Sequence, residues 1–160
     1  MLRYPLIHPQ LLAVLAAAGH GSKILIADGN YAHRTNTHAL APVIHLNLRP
    51  GLVTVEHVLE TVVDASPVEA ATLMLPDDGS PSPVQERYRG LLGEAVPMRL
   101  VGRGAFYQAC RRSDMAATIA TGDQRHYANV LLTVGALPAP GPGTPAADEE
   151  TGRTAADMTP

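Results

Sequence analysis

Apolar positions along this chain switch repeatedly between the 3.6-residue period of a helix and the short continuous runs of a buried strand. Leu11, Leu12, Val14, Leu15 and Ala18 share one stripe behind Pro9, whose fixed φ suits the first turn of a helix. Gly19 is placed to stop that helix. Residues 23–27 predict a short buried strand that closes at Asp28, and Gly29 to Leu40, rich in Asn, Thr and His, predicts a loop. Val43 to Leu48 predicts a second strand, Val55 to Val63 a helix and Ala70 to Leu75 a strand. Ser82-Pro83-Val84-Gln85 combines a capping-box pattern with proline at the first helical position, opening a helix to about Leu92. Met98 to Val101 is expected as strand, Gly104 to Arg112 as helix, and Ala116 to Ala120 and Val130 to Val134 as strands. Such alternation predicts an α/β sheet with helices on its faces. From Ala136 to Pro160 the chain is Pro, Gly, Ala, Thr and acidic residues with almost no large apolar side chain. That stretch cannot bury enough surface to offset its ordering entropy. The expected organisation is one domain over 1–135 and a disordered tail over 136–160.

Composition narrows the function classes. A chain of 160 residues with 46% hydrophobic content can bury a real core. Its 12 basic and 15 acidic residues form no positive run, which argues against a nucleic-acid partner. The single cysteine, Cys110, rules out an internal disulfide framework and fits a reducing cytoplasm. The start lacks the pattern of a signal peptide, and no apolar segment is long enough to span a bilayer. A cytoplasmic protein without a membrane partner is expected.

Candidate chemistry lies at the two ends of the domain. Gly19-His20-Gly21 puts an imidazole, able to give and take protons near neutral pH, between residues that let a ligand approach closely. Asp28 follows eight residues later, at the end of a strand. Tyr127 and Asn129 in Tyr127-Ala128-Asn129 offer a hydroxyl and an amide, two-way hydrogen-bonding groups that suit sugar hydroxyls. None of the histidine spacings makes a recognised zinc pattern, and there is no P-loop, dinucleotide fingerprint or serine-hydrolase elbow. His33 and His38 in the loop after Asp28 can rim a pocket, as can His126 beside Tyr127.

In these residues the chain resembles the D-ribose pyranase / L-fucose mutarotase family. The resemblance runs from about Leu6 to about Gly135. It takes in Pro9-Gln10-Leu11-Leu12, Gly19-His20-Gly21, Ile24-Leu25-Ile26-Ala27-Asp28, Glu86-Arg87-Tyr88-Arg89, Arg103-Gly104-Ala105-Phe106-Tyr107, Thr121-Gly122 and Tyr127-Ala128-Asn129. It implies a single-domain three-layer α/β/α sandwich that interconverts sugar anomers by opening and reclosing the ring. It assigns His20 as the catalytic acid/base and Asp28, Arg103, Tyr127 and Asn129 as sugar-binding residues. The reaction needs no metal, nucleotide or redox cofactor. Ring-like homo-oligomers, typically decamers, are also implied, with sites near subunit boundaries.

Arg103 with Ala105-Phe106-Tyr107 is similar to the fucose-type branch, as is Glu86-Arg87-Tyr88-Arg89. Tyr31-Ala32 stands where that branch usually has Phe-Pro, and Tyr127-Ala128-Asn129 is the ribose-type version of the last motif. L-fucose or a related aldose is the expected substrate. The alternatives are ribose-type pyranose/furanose exchange and a noncatalytic sugar-binding or transport-associated protein on the same fold.

Overall fold

The computed structural model describes residues 3–80 and 82–139. Its elements, in chain order, are α1 (Pro9–Ala17), β1 (Lys23–Ala27), β2 (Val43–His45), α2 (Val55–Ala65), β3 (Val68–Met74), α3 (Pro83–Leu92), β4 (Met98–Val101), α4 (Arg103–Cys110), β5 (Met115–Ala120) and β6 (Val130–Val134). The strands form one sheet in the order β2-β5-β1-β6-β3-β4. β6 runs against its neighbours β1 and β3, while β2, β5 and β1 are mutually parallel, as are β3 and β4. The ends of β1, β3 and β4 that lead into Asp28, Pro76 and Arg103 therefore share one edge of the sheet, and β6 starts there.

Helices cover both faces, which is why the inner strands read as continuous apolar runs rather than as alternating patterns. Ile24 and Ile26 point into a core shared with Leu11 of α1, Val55, Val58, Leu59 and Val62 of α2, and Val84, Tyr88 and Leu92 of α3. Leu25, Ala27, Met74 and Leu131 point the other way, against Phe106 and Cys110 of α4 and against Tyr31 from the 29–42 loop. This is the expected three-layer sandwich, with α1, α2 and α3 on one side and α4 on the other. Tyr88 is wholly buried, and its hydroxyl is satisfied by donating to the Ala128 carbonyl at 2.7 Å. Cys110 is a buried free thiol whose pKa burial pushes up to about 11.

Local details depart from the sequence expectation in three places. β2 ends at His45, not at Leu48. Its partner β5 ends at Ala120, so after Leu46 N–H donates to the Ala120 carbonyl there is no ladder to continue. The Ser82 side chain makes no cap; Ser82 only lends its carbonyl to Gln85 N–H. A capping box forms instead at α2, where Thr54 and His57 bond reciprocally. Finally, α1 closes at Ala17 with Ala18 extended, and the left-handed residue is Gly21 (φ 81°) rather than Gly19. Most of the tail expected to be disordered, from Pro140 onward, lies outside the described residues. Among the described residues no helix is long and apolar enough to cross a membrane.

Candidate functional site

Asp28 is the first residue beyond β1, where the sheet stops and backbone groups lose their ladder partners. Asn129, just before β6, takes over. Its amide oxygen accepts from Asp28 N–H at 2.9 Å, and its amide nitrogen donates to Asp28 Oδ2 at 2.8 Å. Asn30 N–H donates to Asp28 Oδ1 at 2.9 Å. The antiparallel register Ile26↔Val130 carries two residues separated by 101 positions into this reciprocal pair. Asp28 and Asn129 are only 2% and 4% exposed. Burial raises the Asp28 carboxyl above its ordinary range, hydrogen bonds from Asn30, Ala128 and Asn129 hold the rise back, and the nearby Asp123 carboxylate adds to it. A carboxyl tuned in this way, facing a cavity, is suited to hydrogen bonding and proton exchange with a hydroxyl ligand.

Tyr127 holds φ at 59°, in the left-handed region that non-glycine residues rarely adopt. Such a conformation costs on the order of 1–3 kcal/mol and persists only where surrounding bonds enforce it. Here Ala128 is clamped by Tyr88, and Arg103 donates to the Tyr127 hydroxyl at 2.9 Å. The Arg103 guanidinium lies 5.7 Å from the Tyr127 ring centroid and also pairs with Asp77 at 2.6 Å. Arg103 opens α4 immediately after β4, so the same sheet edge delivers it to the site.

Asp28, Arg103, Tyr127 and Asn129 thus converge on a cavity of about 160 Å³. This is well below the roughly 300–1,000 Å³ of sites for drug-sized ligands, and it suits a ligand of monosaccharide size. Its polar floor faces an apolar wall of Tyr31, Met74 and Tyr107. Tyr31 is buried with its hydroxyl turned away onto the Asn36 carbonyl at 2.6 Å, and its ring meets Tyr107 edge-on at 5.4 Å. Asn30 and His126 complete the rim and are shared with a larger neighbouring hollow of about 610 Å³. The larger hollow lacks the Asp28–Asn129 pair, which makes the smaller one the candidate site.

The other candidates are placed differently. His33 bonds the Asp28 carbonyl at 3.0 Å and braces the turn without lining the cavity. His38 borders a separate hollow with Arg34 and His45. His20 is not brought to the site. It sits in the α1–β1 turn at the opposite edge of the sheet, where its Nε2 lies 2.6 Å from Glu69 Oε2 near the start of β3. At about 3.3 Å per residue, β1 alone separates the two edges by roughly 13 Å. His20 of one chain therefore cannot touch a ligand held by Asp28 of the same chain. Its side chain is 62% exposed.

Sequence reasoning had no signal for Met74 or for Asp77 as the partner of Arg103, since neither carries a motif. Tyr107 had one: it lies four residues after Arg103 and so shares a helix face with it.

This geometry can be set beside known proteins. The sequence profile of the RbsD / FucU transport protein family matches residues 1–137. A curated relative, the fucose mutarotase of Danio rerio, is 30% identical over 142 residues, covering 81% of this chain and 89% of that protein. Among solved structures, the fucose mutarotase in complex with L-fucose from Streptococcus pneumoniae superposes with a TM-score of 0.73 at 24% identity, over 86% of this chain and 100% of that one. Bacillus subtilis RbsD complexed with D-ribose gives a TM-score of 0.72 at 24% identity, over 86% and 99%. With nearly the whole described domain matched in sequence and in fold, the chain belongs to the RbsD / FucU family.

Proposed function

We propose that this protein is a sugar mutarotase that interconverts the α and β anomers of a monosaccharide, L-fucose or a related aldose. The observation that carries the reading is the convergence of Asp28, Asn129, Tyr127 and Arg103 on a monosaccharide-sized cavity with one apolar wall. Polar groups on one side match ring hydroxyls, while Tyr31, Tyr107 and Met74 offer a surface for the C–H face of the ring or for the methyl group of a deoxy sugar. The 30% identity to a fucose mutarotase supports the same assignment.

In the reaction a base removes the proton of the anomeric hydroxyl while an acid protonates the ring oxygen. The bond between the anomeric carbon and the ring oxygen breaks, leaving an open-chain aldehyde. Rotation of that aldehyde and re-addition of the hydroxyl to its other face give the second anomer, with no net change in protons or electrons. Asp28, Asn129, Tyr127 and Arg103 hold the hydroxyls. His20 serves as the acid/base, and because it lies at the far sheet edge of its own chain, the one that serves a given site comes from a neighbouring subunit. A ring-like homo-oligomer, a decamer in our reading, supplies that neighbour in the cytoplasm. An acid/base group of this kind contributes about 10²–10⁴-fold in rate.

The test is NMR magnetisation exchange between anomers of L-fucose, D-ribose and other aldoses, with and without the protein. Accelerated α/β exchange of one aldose is expected. Pyranose/furanose exchange of ribose would establish the pyranase alternative, and binding without exchange the noncatalytic one. Within the same assay, Tyr127→Phe is expected to raise KM about tenfold by removing a hydroxyl bonded to a cation, with the thermal midpoint nearly unchanged because the group is part-exposed. An unaltered KM would remove Tyr127 from the sugar contacts.

A further inference from the structure

Between β5 and Tyr127 runs a loop that carries an ion-pair cluster. Asp123, 2% exposed, accepts from Arg125 at two points: Nε to Oδ1 at 3.0 Å and Nη2 to Oδ2 at 2.6 Å. Arg125 N–H also donates to Oδ1 at 3.0 Å. The remaining arm of the guanidinium, Nη1, reaches Glu56 of α2 at 3.0 Å, and Glu56 in turn holds Arg87 of α3 at 2.8 Å. Asp123 Oδ2 accepts from Val55 N–H, the first residue of α2, at 3.1 Å.

The same residue touches the sugar site from behind. The Asp123 carbonyl accepts from Gly29 N–H at 2.8 Å, directly beside Asp28. A side chain at position 29 would press on that carbonyl, which is 3.1 Å from where a Cβ would stand. Arg125 itself lies two residues before Tyr127, whose left-handed backbone needs outside support.

We propose that Arg125 is a positioning residue for the sugar site. Its planar fork ties Asp123 to Glu56 and so sets, from outside the cavity, where Tyr127, His126 and the Asp28 turn stand. A guanidinium is required because three acceptor oxygens on two carboxylates must be met at once in a fixed plane; an ammonium reaches them one at a time. The proposal rests on the mutarotase reading for its assay and is separable from it.

The experiment compares Arg125→Lys, Arg125→Gln and the double variant Asp123→Asn/Arg125→Gln with the parent, reading KM and kcat for anomer exchange of the sugar the parent accepts, alongside thermal midpoints. Arg125→Gln strands a buried carboxylate and is expected to lower the midpoint; the double variant removes both charges together and recovers much of it. KM is expected to rise about tenfold in all three with kcat within about twofold, the pattern of lost binding rather than lost chemistry. A KM that returns to the parent value when the double variant regains stability would show Arg125 to be merely structural, and an unchanged KM in Arg125→Gln would overturn the proposal outright. A parent that exchanges no sugar would sink the mutarotase reading and the proposed role with it, whereas an active parent with indifferent variants would sink only the latter.

Discussion

In the proposed homo-oligomer, assemblies made wholly of His20→Ala subunits are expected to lose anomer exchange by about 10²–10⁴-fold and those made wholly of Asp28→Asn subunits to lose it with their grip on the sugar, and mixing the two is expected to restore it in part. The reason is geometric. His20 and Asp28 lie at opposite edges of the sheet in one chain, so a site that uses both has to draw them from two chains. In a mixed ring of the proposed kind, a His20→Ala subunit keeps its Asp28 cavity and can receive the intact His20 of an Asp28→Asn neighbour. With random assembly of equal amounts, one boundary in about four combines both intact groups, so roughly a quarter of the parent activity is expected after the mixture is dissociated and reassembled. Activity that stays at the single-variant level, in rings shown by light scattering to have the parent size, would exclude a shared site. His20→Ala alone should retain sugar affinity, because the residues that grip the hydroxyls are untouched. Parent-rate exchange in that variant would remove His20 from the chemistry altogether.

Gly122→Ala is expected to destabilise the fold by about 3 kcal/mol or more, a fall of roughly 10 °C in the thermal midpoint for a domain of this size. Gly122 is pinned from both sides by backbone: its N–H donates to the Val53 carbonyl at 2.9 Å, and its carbonyl accepts from Gly51 N–H at 2.6 Å. A Cβ there would run into the carbonyl oxygens of Leu52 and Arg49, main-chain atoms that no side-chain rotation can clear. The 49–53 turn would have to move away, and that would disturb the bond that Asp123 Oδ2 accepts from Val55 N–H at the start of α2. Gly104→Ala is the control. A Cβ at position 104 meets nothing within 4 Å, and the residue lies inside α4, so alanine is expected to be neutral or to add about 0.5–1 kcal/mol. Equal midpoints for the two alanine variants in a thermal melt would show that the turn yields freely and that the packing at Gly122 is unimportant.

Much of the scaffold was legible in the chain because its signals are local. A Pro9-led apolar stripe, five apolar runs flanked by turn residues and a Pro at the head of α3 each depend on residues within a few positions of one another, and all became the elements expected, within a residue or two. The exceptions are instructive. β2 was cut short by the length of its neighbour β5, and the Ser82 cap went unmade although its pattern was present. In both cases a tertiary partner overrode a local preference.

The site divides the same way. Residue types marked the candidates: an imidazole between glycines, a carboxylate at a strand end, a Tyr-x-Asn before the last strand and an arginine at a helix start. Those identities, and the resemblance they carry, belong to the sequence by itself, as does the α/β class. What only the tertiary structure decided is which of them meet. The antiparallel insertion of β6 between β1 and β3 joins Asn129 to Asp28, the shared sheet edge adds Arg103 and Tyr127, and the same strand geometry sends His20 to the other end. Periodicity reports which way a side chain faces relative to its own element. Strand order and direction, which depend on contacts between residues a hundred positions apart, determine which ends lie side by side.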